Sequence, residues 1–284
     1  MPDQKRTPTV RARQLGLDLR RLRTEAGLSA EEAAGLVGCS QGKISRIELA
    51  QSGVSKGDLF LILKTYNVPE ETHEQFWQLA REGRGRGWWE DYRHVITGGL
   101  STYIAFEAEA TAVNSWNWGF MPGLLQTEGY ARALFASDPR RVDPDEIDRL
   151  VDARMARQVR LTDGSLSLWV VLDESLLHRP IGGPKVFAEQ LDRLAHPSPE
   201  VTVQILKQQT VWHFGLGGGF SVMSFPEHPS IVFTESLTGD SHVEQEDYVS
   251  RYTLAFDHLR AVATGPDESR TAIERARDYW MKEG

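Results

Sequence analysis

Two helix starts separated by one hard stop, all between Leu28 and Glu48, constrain this chain more than any other feature. Ser29 is placed to cap a helix, and Glu32, three residues later, completes a capping box. Gly38 ends that helix, and Ser40 is placed to cap the next. So short a turn forces the second helix to cross the first at a wide angle. Within it Ile44 and Ile47 face inward, which leaves Gln41, Lys43, Ser45 and Arg46 pointing elsewhere. A helix-turn-helix unit has this organisation: a sharp stop, then a helix polar from its first turn onward.

Further short helices extend this region into an all-α domain spanning residues 10–83. Leu15, Leu19 and Leu22 lie on one face of a helix ended by Gly27. Another is predicted from about Ser55 to Tyr66, with Leu59, Ile62 and Leu63 as its apolar stripe. Pro69 opens a fifth, in which Phe76, Leu79 and Ala80 face the core. The run Gly83-Arg84-Gly85-Arg86-Gly87 cannot hold a helix, so residues 84–87 are assigned as a linker. A hinge is the plain reading of that run, and phosphate contact by Arg84 and Arg86 the sharper one. Trp88 and Trp89 are expected to start the core of a second domain, residues 88–284.

Charge divides along the same line. The whole chain carries −8, yet residues 1–66 hold eleven Lys/Arg against seven Asp/Glu, a balance of +4. The remainder carries −12. A basic head on an acidic body fits a DNA-binding module joined to an effector or partner domain. In the third helix Gln41 suits adenine edges and Arg46 guanine, while Lys43 and Ser45 serve phosphate or base. Gly42 lets the groove wall approach closely.

The second domain mixes periods. Helical spacing is plain at Ile147, Leu150, Val151 and Met155, at Phe187, Leu191 and Leu194, and in two closing helices, roughly Val243–Ala263 and Asp267–Lys282. Strand-like runs occur at Leu166–Leu172, Val201–Leu206, Phe220–Phe225 and Ile231–Thr234. Together they predict an α+β domain with a largely antiparallel sheet. The run Gly215–Gly219 sits between two strands and reads as a hairpin turn before it reads as a phosphate loop.

Catalytic signals are thin. Asp173, Glu174 and His178 could meet at a strand end, and Glu107 and Glu109 form a second carboxylate pair. General acid/base chemistry needs convergent groups, and spacing alone does not supply convergence. Arg154 and Gln158 share a helical face beside Arg157, which reads as an ion-pair network with Glu107 or Asp173, or as a ligand-binding arginine. The eight histidines are far apart and the single cysteine, Cys39, sits at a packed turn, so no metal or other cofactor is expected. No enzyme activity is expected either. No run approaches eighteen apolar residues and Met1–Arg6 is polar, so the chain is expected to be cytoplasmic, with no membrane partner.

Leu28-Ser29, Glu32-Ala33-Ala34, Val37-Gly38, Ser40 and Lys43–Glu48 together resemble the Cro/cI (XRE) family of helix-turn-helix regulators. The resemblance implies Gln41, Gly42 and Arg46 as groove-facing positions, and Lys43 and Ser45 as flanking contacts. It also implies an ion pair between Arg23 in the first helix and Glu48 at the end of the third. Many members carry Gln where this chain has Ala30, at the start of the second helix. Beyond the linker, Glu107–Ala110, Pro122–Thr127 with Tyr130-Ala131, Arg154–Gln158, Leu172–Leu177, Gly182-Gly183 and Gln190-Leu191 are similar to actinomycete regulators of the WhiJ-like type. That likeness implies an antitoxin-like C-terminal domain that binds a small protein encoded next door. The combined expectation is a transcription regulator that binds double-stranded operator DNA as a homodimer. A ligand-sensing or protein-sequestering module with incidental DNA binding is the alternative.

Overall fold

A computed structural model describes residues 9–83, 88–92, 94–96, 99–139, 143–210, 212–226, 228–236 and 240–284. The first unit holds α1 (Val10–Glu25), α2 (Ala30–Val37), α3 (Gln41–Glu48), α4 (Lys56–Thr65) and α5 (His73–Glu82). Four of the five start at a side-chain cap, from Thr9, Ser29, Ser40 and Ser55 respectively. Each cap supplies an acceptor to a first-turn N–H that has none inside the helix. The apolar stripes then meet in one core, where Leu15, Leu19, Ile44, Ile47, Leu59, Ile62 and Leu63 are all buried. Pro69 opens a single 3₁₀ turn, Glu70–Thr72, and α5 begins only after it.

The chain divides between Glu90 and Asp91. The proposed linker, residues 84–87, lies outside the described residues. Trp88 and Trp89 were expected to open the second domain, but they fall on the first unit's side of the division. Their rings meet edge to face at 6.2 Å, and Trp89 is buried. A composition shift at a glycine run does not tell which way the aromatic residues after it will pack.

In the second unit, α6 (Gly99–Glu107) precedes strand β1 (Ala112–Asn117). Helices α7 (Glu128–Ala136), α8 (Pro144–Arg157) and α9 (Val159–Thr162) lead to β2 (Ser167–Asp173), and α10 (Pro184–Ala195) leads to β3 (Val201–Leu206). Strands β4 (Phe220–Ser224), β5 (Ile231–Thr234) and β6 (Ser241–Val243) follow, then α11 (Glu246–Val262) and α12 (Pro266–Glu283). The sheet order is β3-β2-β1-β4-β5-β6. It is mixed: β1/β2 and β2/β3 are parallel, while β1/β4, β4/β5 and β5/β6 are antiparallel. The sheet expected to be largely antiparallel is therefore antiparallel in three of its five pairings and parallel in the other two. Parallel neighbours need long crossovers, and both connections among β1, β2 and β3 carry helices.

Two further differences follow from that order. Strands β3 and β4 are sequence neighbours yet lie three places apart, so Gly215–Gly219 is not a hairpin turn. Phe214–Gly217 forms a 3₁₀ turn instead, and the carbonyl of Gly215 accepts from Nε1 of buried Trp116 at 3.0 Å. The edge strand β3 is closed by the chain's end rather than left open. The amide of Ile205 donates to Ser269 Oγ at 2.9 Å, and its carbonyl accepts from Thr264. On one face of the sheet Trp116, Val171, Leu206, Val222 and Val232 pack with Phe256 and Leu259 of α11.

Candidate DNA-binding surface

The turn between α2 and α3 is built from the residues that marked it. Gly38 adopts φ 77°, a left-handed conformation that side-chain-bearing residues rarely take, and its amide bonds the carbonyl of Ala34. Cys39, half-buried, donates its amide to the same carbonyl at 2.9 Å. Ser40 then caps α3 through the amide of Lys43 at 3.2 Å. At the start of α2 the capping box is complete, with Ser29 and Glu32 each bonding the other's amide. Ala30, the departure from the family pattern, is half-buried against the core.

Burial sorts α3 into two faces. Ile44 and Ile47 are sealed in the core, while Gln41, Gly42 and Arg46 are exposed and Lys43 and Ser45 half-buried. The five candidate residues therefore lie off the core face, but they are not equally free. Lys43 donates to Asp58 Oδ1 at 2.8 Å, and Ser55 donates to Asp58 Oδ2 at 2.6 Å. These bonds, Lys43 first, hold the Asp58 carboxyl below its ordinary range. The ammonium expected to meet phosphate is thus tied to the first turn of α4. Arg46 leans back over its own helix, with Nη1 3.3 Å from where a Cβ on Gly42 would stand.

The far end of α3 is fixed by the ion pair that the family resemblance implied. Arg23 donates from Nε to Glu48 Oε1 at 2.7 Å and from Nη2 to Oε2 at 3.0 Å. Its Nη1 donates to the carbonyl of Leu28 at 2.7 Å, which ties in the α1–α2 turn as well. Side-chain exposure is 13% for Arg23 and 7% for Glu48, so the pair is largely desolvated. Hydrogen bonding to Glu48 outweighs burial and raises the pKa of Arg23. Tyr66 lies close by, pushed up to about 12 by burial and by the Glu48 charge.

Two residues that position this surface were not singled out from sequence. A Cβ on Gly16 would stand 2.4 Å from the carbonyl oxygen of Glu48, so α1 and the end of α3 touch backbone to backbone. An isolated glycine inside an otherwise continuous helical run was the available signal. Asp58 is the other, and Ser55 three residues before it was the available signal, as a cap whose acidic partner reaches back.

Three of the carboxylates considered for catalysis are each engaged by a different partner in the second unit. Asp173 bonds the amide of Ser175, and Glu174 accepts from the amide of Gln208. Glu107 is buried and accepts from Arg157 at 2.7 and 2.6 Å, so Arg157 takes Glu107 and not Asp173. Gln158 clamps the loop above through the carbonyls of Gly123 and Gln126. Among the described residues no group of three or more His, Cys, Asp or Glu is placed to hold a metal, and no helix is long and apolar enough to cross a membrane.

A capped α2, a left-handed stop and a braced α3 with a polar outer face define a helix-turn-helix domain, the class of DNA-binding regulators. Residues 14–76 match the family described as Helix-turn-helix domain. Residues 100–275, more than half of the chain, match the one described as Domain of unknown function (DUF5753). The chain belongs to the DUF5753 family. No curated protein matches it.

Proposed function

We propose that the protein is a sequence-specific transcription regulator that lays α3 in the major groove of operator DNA. The observation that carries this reading is the rigidly braced α3, whose exposed residues Gln41, Gly42 and Arg46 are those suited to base edges. Lys43 and Ser45 flank them as positioning contacts, Lys43 exchanging Asp58 for phosphate on binding. An eight-residue helix reads only a few base pairs, so a homodimer on a two-fold-related site supplies the remaining selectivity. The second unit joins the two copies and receives the signal, either a small protein encoded next door, in antitoxin-like fashion, or a ligand. It performs no catalysis, and the protein works in the cytoplasm.

Binding to the promoter region of its own gene, measured across salt concentrations, tests the reading. Affinity should fall steeply with salt and remain sequence-selective at each concentration. Arg46→Ala should weaken the specific site by about 1–3 kcal/mol and relax preference at one base pair. Full affinity and full selectivity in that variant would refute the placement of α3. The alternative, a ligand-sensing or sequestering module with incidental DNA binding, predicts salt-sensitive binding with no sequence preference.

A further inference from the structure

Two neighbouring arginines of α8 keep very different company. Arg157 is buried and fully paired, its Nε and Nη2 both on the Glu107 carboxylate. Burial draws its pKa down, but the Glu107 charge and bonds outweigh that and hold it above the ordinary value. Arg154, one residue short of a turn earlier, has no carboxylate partner among the described residues. Its Nη1 donates to Gln126 Oε1 at 2.8 Å, and its guanidinium lies 4.9 Å from the centre of the Phe135 ring. Burial, and then the charge of Arg157, lower its pKa to about 9.

A second guanidinium stands directly beside it. A Cβ on Gly123 would stand 2.7 Å from Arg154 Nη1 and 3.2 Å from Arg157 Nη1, so both guanidiniums crowd one point. Arg193 donates to Gln158 Oε1 at 2.6 Å, and Arg160 donates to the carbonyls of Glu107 and Ala110. Among the described residues, these four guanidiniums have one carboxylate, Glu107, within bonding distance. Gln126 is fully buried, and its Nε2 is held by the carbonyl of Met121, so its Oε1 is fixed toward Arg154. Arg154 itself is half-buried, and among the described residues its Nε and Nη2 find no acceptor yet are not sealed from solvent. A planar guanidinium with free donors matches the paired oxygens of a carboxylate or phosphate.

We propose that Arg154 anchors a site for a small organic anion, whose single carboxylate or phosphate group sits on the free donors Nε and Nη2 beside Phe135. This gives the signal of the proposed regulator a chemical class, and to that extent rests on that reading. Ligand binding, however, is measured without DNA.

The full-length protein is titrated with acetate and with inorganic phosphate, ionic strength being held with sodium chloride, and followed by melting temperature and calorimetry. Saturable heat and a saturable rise in melting temperature are expected for at least one of the two anions. Which of them binds tells a carboxylate ligand from a phosphate one. Arg154→Gln should weaken binding about tenfold or more. Should that variant fail to fold, Arg154→Lys, which keeps the charge but not the fork, should still weaken binding about tenfold. No saturable binding to either anion, or equal binding in the folded variant, would overturn the site whatever the DNA measurements give. Loss of sequence-selective DNA binding in the wild type bears on the regulator reading alone.

Discussion

Among the described residues, each unit contains one fork-to-fork arginine–carboxylate pair, and the two are used differently. Arg23–Glu48 joins three pieces of the first unit, since the same guanidinium also holds the carbonyl of Leu28. Every donor nitrogen of Arg23 is employed, and no second cation among the described residues acts on it. Arg157–Glu107 is more deeply buried, at 5% and 3% exposure, and has Arg154 at its side. The first pair fixes the geometry of a surface, whereas the second neutralises one of two adjacent guanidiniums. Breaking a buried pair on one side leaves an uncompensated charge, so the penalty should scale with burial and with unneutralised neighbours.

Glu107→Gln should be the most damaging substitution, costing about 3–5 kcal/mol in chemical denaturation, because Arg157 and Arg154 would share a pocket with no carboxylate in contact. A loss below that of Glu48→Gln would overturn the ranking of the two pairs. Next comes Gly16→Ala, at about 3 kcal/mol, because the new methyl meets the backbone of Glu48 and the helices must separate. That variant should also lose operator affinity, as the end of α3 moves with the strain. An unchanged melting temperature would show that α1 shifts freely.

Glu48→Gln should cost about 2 kcal/mol, and Arg23→Leu combined with Glu48→Leu less than the sum of the two single changes. A double-mutant cycle without coupling would remove the brace from the account. The smallest effect belongs to the half-buried Lys43–Asp58 pair. Asp58→Asn should alter stability by about 0.5–1 kcal/mol, through Lys43 and the α4 cap. Released from Asp58, Lys43 should then raise affinity for all DNA sequences alike, measured at low salt. A gain confined to the operator would mean that Lys43 reads a base.

The first unit was legible in the sequence because its determinants are local. Ser29 and Glu32, Gly38, and Ser40 act within a few residues, and the fold places each where its chemistry suggested. The assignment of Arg23 to Glu48 came from family resemblance rather than from spacing, as 25 residues separate them. Asp58 stayed hidden as a partner of Lys43 because nothing in an i to i+15 separation marks a contact. In the second unit, the strands with strong β-branched runs were visible, while β1, Ala112–Asn117, was not. It carries Asn114, Ser115 and Asn117, and is a strand because it lies between β2 and β4.

Helix starts and stops, the inward face of α3 and the split between basic head and acidic body are therefore set by the sequence itself, through hydrogen bonds and periodicities that act over one or two turns. Tertiary structure alone decided the mixed order of the sheet, the backbone contact at Gly16 and the separate fates of Arg154 and Arg157. Those outcomes depend on which distant groups share a buried volume, and an arginine's charge is satisfied or stranded only once the fold has placed its carboxylate.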